Sequence, residues 1–396
     1  MNFFKKIIKN NFVYSIYKNR STNTFIKNHY KTNFEKNVLI SYITSSFLKG
    51  ISHAHTNIVE SLEIGRVFSD LGFNVDVVNY NSERKIDFKK YDVVFGFGKP
   101  LNDSFFSTNK KLKRIFYGTG KHPWFSNWYT LDRLMSAYNK TGELFIESTR
   151  YISEDYLLQT TLVDGIVVIG NKDVVKTYKK YYNGPIYSIP VSFYKTHNPF
   201  EIIEKRNYPE SKKHFLFFSG SGMVHKGLDL LLDAFSQSPD MHLHICAPVS
   251  AEKRFENFYK KELHYTKNIH TYGLIGIESD EFRRLLEQCA FVIPPSCSEG
   301  ESTAIVHAVA NGGLIPLLSN ESSLSIDNLV PYINDLTSDA ILAIISVVIK
   351  MSDKKLIELS RAYAKIILQK NSLDNFSEEF LKSIILILDK YEVHHL

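Results

Sequence analysis

The sequence predicts an α/β fold made of two consecutive Rossmann-like units, and three observations carry that expectation. Strand-length apolar runs alternate with helix-length amphipathic segments along most of the 396 residues. The alternation pauses in a polar stretch with two prolines, residues 196–213, and then starts again. Two loops that follow strands, 220–227 and 294–302, bring glycines, a lysine and glutamates to what would be the carboxyl edge of one sheet.

Composition narrows the class. An apolar share of 44% with 23% charged residues is ordinary for a globular protein, and the chain has room for two cores of about 100–200 residues each. No apolar run approaches the roughly 18–20 residues of a membrane span. Cys246, Cys289 and Cys297 lack metal-ligand spacing and lie in or beside apolar segments, which fits buried thiols in a reducing compartment. Of the 48 Lys/Arg and 42 Asp/Glu, eight and one fall within residues 1–36, so the rest of the chain is close to neutral. A body without a basic excess argues against nucleic acid as a partner.

In residues 1–36, Phe3, Phe4, Ile7, Ile8, Phe12 and Ile16 recur at roughly helical spacing with Lys5, Lys6 and Lys9 between them. Such a segment either lies on an anionic membrane, each basic residue contributing about 1 kcal/mol, or packs its aromatic face on the protein's own body. No small-residue cleavage site follows it, so it does not read as a secretory signal. The first unit, 37–195, is expected to hold strands at 37–43, 74–80, 92–97, 114–117, 164–170 and 186–191, with a helix at 58–71 closed by Gly72. Residues 196–213 read as the linker. The second unit, 214–374, should hold strands at 214–219, 241–247, 268–272, 291–293 and 314–318. Its helices fall at 228–237, 251–265, 279–288, from about 303, 337–350 and 353–369, and residues 375–396 form a final helical segment.

Two loops carry the chemistry. After the strand at 291–293 the chain turns through Glu299 and Glu301 into a helix. The N–H groups of Ser302, Thr303 and Ala304, together with the helix dipole, suit a phosphate there. The plainer alternative is an ordinary strand-to-helix turn with solvated acids. In the other loop Gly220 and Gly222, on either side of Ser221, let the backbone approach an anion, and Lys226 sets a cation beside it. That loop has neither P-loop nor dinucleotide-fingerprint spacing, which argues against a dehydrogenase. Lys226 and Glu299 at adjacent strand ends would together suit a nucleoside diphosphate carrying a polar group.

These stretches, FLFFSGSGMVHKGLDLLLDAF and PPSCSEGESTAIVHAVANGGLIPLLS, resemble the donor domain of retaining GT-B glycosyltransferases of the group-one or family-four class. The resemblance is strong over 214–320 and looser over 37–195. It implies two Rossmann-like domains facing each other across a cleft, with a last helix crossing back onto the first. It implies that Lys226 binds the donor diphosphate, that Glu299 contacts the sugar, and that Gly300, Glu301, Ser302 and Thr303 hold phosphate and sugar oxygens. Tyr272, Gly273 and Leu274 would lie against the base. Two positions depart from the family's pattern: His307 stands where a second glutamate usually binds the ribose, and Ser221 where an arginine usually precedes the lysine. In the first domain, His122 is the candidate for the histidine near the anomeric carbon, with His53 and His55 as competitors. Gly50 matches the first glycine loop in part, and Trp124 and Trp128 are placed to stack on a sugar face. His122, Glu299 and Lys226 are thus the candidate catalytic residues.

The resemblance further implies a retaining transfer without a protein nucleophile or metal, and the absence of a DxD pair agrees. The expectation is a hexosyltransferase type of enzyme. It would move a sugar from a nucleotide-sugar, with no other cofactor, to a glycan or lipid-linked acceptor in polysaccharide biosynthesis. It would work in the cytoplasm at the inner face of the membrane. A non-catalytic nucleotide- or glycan-binding relative and a GT-B-type nucleotide-sugar epimerase are the alternatives.

Overall fold

The computed structural model describes residues 23–392 except 54, 155, 323 and 325–328, so most of the basic amphipathic segment lies outside the described residues. Seven strands form the first sheet: β1 (Phe25–Ile26), β2 (Lys36–Tyr42), β3 (Phe73–Asn79), β4 (Val93–Gly96), β5 (Lys113–Gly118), β6 (Gly165–Ile169) and β7 (Ile186–Ile189). Their order is β1-β3-β2-β4-β5-β6-β7, parallel throughout except for β1, which runs antiparallel to β3. The second sheet is all parallel in the order β10-β9-β8-β11-β12, from β8 (His214–Phe218), β9 (His242–Cys246), β10 (Ile269–Thr271), β11 (Phe291–Val292) and β12 (Ile315–Pro316). Val38, Leu39 and Ile40 on β2 and Phe215, Leu216 and Phe217 on β8 are fully buried. Such unbroken apolar runs are what a parallel sheet covered on both faces requires. Strand order reverses at β8, which has β9 on one side and β11 on the other. The crevice outside the carboxyl ends of such a pair is where an open α/β sheet receives ligands.

The longer helices are α1 (Asn57–Asp70), α2 (Pro123–Thr141), α3 (Lys172–Lys179), α4 (Pro199–Lys205), α5 (Leu228–Ser236), α6 (Asp280–Gln288), α7 (Thr303–Gly312), α8 (Ser338–Val348), α9 (Asp353–Lys370) and α10 (Leu373–Glu392). Helix α10 returns to the first sheet. The Phe380 ring meets Phe95 at 5.3 Å and Phe68 at 5.9 Å, and Ile387 fills the space over Gly165, where a Cβ would fall 2.7 Å from its Cδ1. Both domains, and the helix crossing back, are those of the GT-B fold. The chain passes between domains at 190–198 and again near 371, and Asn371 Nδ2 donates to Val191 O at 2.9 Å, tying the crossings together.

The stretch that reads as a polar linker is in fact packed. Ile202 and Ile203 on α4 are buried, and Ile203 covers Gly313. Arg206, also buried, donates to Leu286 O at 2.8 Å and to the carbonyls of Gly312 and Gly313, at the carboxyl ends of α6 and α7. A cation among helix-end carbonyls compensates their orphaned acceptors, so a charged residue in the sequence marks an anchor. The single helix expected over 251–265 is broken into Lys253–Phe258 and Lys260–Tyr265 at the buried Tyr259.

Four histidines stack across one face of the second sheet. The His214 ring lies 4.6 Å from His242, and His244 lies 4.8 Å from His270. Gln288 donates to His214 Nδ1 at 3.3 Å, so His244 Nε2 is the protonated partner of that same nitrogen at 2.9 Å, and His244 Nδ1 accepts from the Tyr272 hydroxyl at 2.9 Å. Neutral rings suit this arrangement. Burial pushes His214 down to about 4 and His244 to about 2, the neighbouring histidines adding to the effect. Burial likewise lowers His122, His225 and His307 to about 4. Below about 6.5 the unfolded chain binds protons that the native fold refuses, so stability should fall as pH drops toward 4. Glu60, raised to about 7 by burial, and Asp229, also raised by burial, work in the opposite sense, but the lowered histidines outnumber them. Melting temperature is expected to hold above pH 7 and to fall steadily between pH 6.5 and 4. A flat profile there would contradict the neutral ladder.

Candidate functional site

The crevice at the β8/β11 reversal is built from backbone first. Gly222 and Gly227 take φ of +95° and +74°, a region that favours glycine, and a Cβ on Gly227 would lie 2.4 Å from Pro295 O. The two site loops therefore touch. That contact sets Lys226, one residue before the α5 cap, against Glu299 in the loop after β11. Lys226 Nζ and Glu299 Oε1 form an ion pair in which both side chains are under 10% exposed. Arg150 of the first domain reaches the other carboxylate oxygen, with Nη1 4.0 Å from Glu299 Oε2. Burial alone would raise the Glu299 carboxyl, but Lys226, Arg150 and His225 outweigh it and hold the group down at about 2. Burial also pushes the Lys226 ammonium below its ordinary value, with Glu299 opposing that shift. The Glu299 carboxylate is ionised at neutral pH.

His225 anchors this cluster to the other domain. Its Nε2–H donates to Ser298 O at 2.8 Å, which leaves Nδ1 to accept from the Thr130 hydroxyl of α2 at 2.8 Å. Cys297, buried beside it, has its thiol pushed up to about 12 by burial and is chemically quiet. Three ion pairs span the domain boundary nearby: Lys121 with Glu321, Arg133 with Asp229, and Lys140 with Asp233. Gly300 completes the contact, since a Cβ there would fall 2.7 Å from Gly120 Cα.

Other residues singled out in the sequence fall into distinct groups. Gly220 and Ser221 sit exposed at the rim. The Gly222 N–H is already taken: it donates to Glu252 Oε1 at 2.5 Å, while Met223 N–H donates to Glu252 Oε2 at 3.0 Å. An internal carboxylate thus occupies the Gly222 amide that the sequence suggested for a ligand. Glu301 is turned toward the domain crossing, where its Oε2 accepts from Val191 N–H at 2.8 Å. Ser302 caps α7 without a side-chain bond, and Ser302 and Thr303 stay half-buried. Gly273 has open space around it and Leu274 is 71% exposed, whereas the Tyr272 hydroxyl belongs to the histidine ladder.

Both ring nitrogens of His307 are engaged. Nδ1–H donates to Thr303 O at 2.8 Å and Nε2 accepts from Tyr194 N–H at 3.1 Å, so the ring joins α7 to the domain crossing. His122 is buried within the first domain as the cap of α2, its Nδ1 accepting from Trp124 N–H at 3.2 Å. The ring packs among Trp124, Tyr178 and Tyr181, and its buried Nε2 has no hydrogen-bond partner. His55 is lowered by burial and next by the charge of Arg150. His53 pairs with Glu278 at 2.6 Å, and Gly50 turns the same loop at φ +77°. Trp124 and Trp128 lie on the outer face of α2. Sequence reasoning missed Arg150 and Glu252; neither lies in a patterned stretch, and each reaches the 220–227 loop only through the fold.

Among the described residues no helix is long and apolar enough to cross a membrane, and no group of His, Cys, Asp or Glu is placed to hold a metal ion.

Comparison with known proteins bears on the same region. Residues 199–325 match the family described as glycosyl transferases group 1. An uncharacterized glycosyltransferase of Methanocaldococcus jannaschii is 31% identical over 104 residues, which span 26% of this chain and 28% of that protein. Among solved structures, sucrose-phosphate synthase from Thermosynechococcus elongatus aligns over 90% of this chain and 100% of its own, with TM-score 0.56 and 11% identity. Anabaena HepE in complex with UDP and glucose aligns over 88% and 99%, with TM-score 0.54 and 13% identity. A glycosyltransferase from Rickettsia africae aligns over 90% and 99%, with TM-score 0.54 and 14% identity. The chain resembles glycosyltransferases of the group-one class, and its fold is GT-B.

Proposed function

We propose that this chain is a nucleotide-sugar-dependent glycosyltransferase of the hexosyltransferase type. The observation that carries the reading is the buried Lys226–Glu299 pair at the strand reversal, inside the segment that matches the group-one family. The donor's diphosphate would take Lys226 from Glu299, and the released carboxylate would accept hydrogen bonds from sugar hydroxyls. Charge developing on the departing diphosphate then meets a cation already fixed in a water-poor site, the arrangement in which preorganised electrostatics contributes most. Transfer with retention and without a metal is the form of the reaction we favour. We favour His55 over His122 as the histidine that meets the sugar, because His122 is buried as the cap of α2 whereas His55 feels the charge of Arg150.

A membrane-associated acceptor is supported by α2. Trp124, Trp128, Leu131, Met135 and Tyr138 are all exposed and spaced alternately by four and three residues, one apolar stripe along the helix. Trp124 packs edge-on to Tyr181 at 4.9 Å, next to exposed Lys176, Lys179 and Lys180 on and just after α3. Aromatic residues beside lysines suit an anionic lipid surface, and the basic residues of 1–36 would add to it. The inner face of the membrane is where we favour the proposed work.

A non-catalytic binding role is the second reading, favoured by Glu252 on the Gly222 and Met223 amides and by the engaged His307 ring. One experiment with two arms separates them. UDP, the nucleotide held by Anabaena HepE, and then other nucleoside diphosphates should raise the melting temperature, and a nucleotide-sugar should be consumed in the presence of glycan or lipid-linked acceptors. Nucleotide binding without transfer or hydrolysis identifies a non-catalytic nucleotide-binding role, and no binding to any nucleotide rejects both that role and the transferase. In the second arm the chain should co-sediment with anionic but not neutral vesicles, and Trp128→Ser should reduce it; indifference to vesicle charge removes the membrane.

A further inference from the structure

The charges around the crevice do not balance for a diphosphate. Lys226 is already paired with Glu299, and the Glu252 carboxylate sits on the amides of Gly222 and Met223. His225 is neutral, lowered by burial to about 4 with its Nε2 proton committed to Ser298 O. Without a further cation this pocket of the second domain is neutral to negative, and a nucleoside diphosphate brings two or more negative charges.

Arg150 answers that deficit from the opposite domain. It is 52% exposed, so it retains open donor positions, and it stands 4.0 Å from Glu299. Its stem lies over Gly222, where a Cβ would come within 2.8 Å of Arg150 Cγ; the missing side chain at 222 makes the room. The segment around it is strapped on both sides. Ser148 O accepts from His225 N–H at 3.2 Å, the Ser148 hydroxyl donates to Glu252, and Ile152 exchanges two 2.8 Å bonds with the Asn127 side chain on α2. An exposed guanidinium on a strapped loop is a planar, multi-donor partner suited to phosphate oxygens.

We propose that Arg150 supplies the second cation of the donor-diphosphate site from across the cleft, so that a donor is held fully only when both domains face each other. This rests on the glycosyltransferase reading above. The test is calorimetric titration of the full chain with UDP, comparing wild type, Arg150→Gln and Arg150→Lys at two salt concentrations. Arg150→Gln is expected to weaken UDP binding roughly 10- to 100-fold, the range for one charge-assisted contact, and to flatten the salt dependence. Arg150→Lys should recover part of both. Unliganded melting temperatures should agree within a degree or two, because the side chain is half exposed. UDP binding by Arg150→Gln within twofold of wild type overturns the assignment. A wild type that binds neither UDP nor any other nucleoside diphosphate instead overturns the reading beneath it.

Discussion

Lys226→Ala is expected to cut sugar transfer by roughly 10²- to 10³-fold and to destabilise the fold by about 3–5 kcal/mol. The two losses have different causes. In the proposed reaction turnover falls because the developing diphosphate charge loses a donor fixed in place before reaction. Stability falls because Glu299, under 10% exposed, would be left without the partner that does most to keep it ionised; its carboxyl would then rise from about 2 and take up a proton at higher pH. Glu299→Ala should be comparably damaging, since it strands a buried ammonium. The double substitution Lys226→Met with Glu299→Leu separates the causes. A buried ion pair replaced by apolar groups of similar volume is often neutral or better, so stability should return while transfer stays lost. Recovery of both would show that the pair is structural only; loss of neither in the single variants would remove it from the site.

The second large effect concerns the seam between domains. Arg133 on α2 and Asp229 on α5 are 5% and 3% exposed, and they meet through one nitrogen and one oxygen. Arg133 Nε and Asp229 Oδ1 are buried without hydrogen-bond partners. Burial raises the Asp229 carboxyl, with Arg133 opposing it. A pair satisfied on one side only recovers little of its desolvation cost, yet breaking it strands the survivor. Arg133→Ala or Asp229→Ala should therefore cost about 3–5 kcal/mol in urea unfolding. Arg133→Met with Asp229→Leu should restore or exceed the wild-type midpoint. Single variants with unchanged midpoints would show that the seam is held elsewhere.

Much of this organisation is legible in the sequence because it is local. The runs 37–43 and 214–219 read as buried strands, and they form β2 and β8 within a residue or so. Gly222 and Gly227 mark turns where side chains do not fit, and Lys226 and Glu299 were separable from their surroundings because each follows a strand end at a sheet's edge. What escaped is what depends on three-dimensional partners. Glu252 sits in an unremarkable segment after β9, and its importance comes from the Gly222 and Met223 amides thirty residues away. Arg150 lies in an irregular loop of the other domain. His307 shows the converse: its position where the resembled family carries a ribose-binding glutamate suggested a ligand contact, while the Tyr194 N–H across the domain boundary already occupies Nε2. Residues 196–213 looked like a linker because composition cannot distinguish a solvated charge from Arg206 buried among carbonyls.

The contact between Gly120 and Gly300 sets a limit of a different kind. At this point the two halves of the molecule meet main chain to main chain, and a single added carbon on Gly300 would stand 2.7 Å from Gly120 Cα, 3.0 Å from Ile169 O and 3.1 Å from Thr119 O. A stop made of side chains yields as rotamers change; one made of backbone does not. The spacing of the two halves at this point is therefore a hard gauge, set by the thickness of a peptide unit.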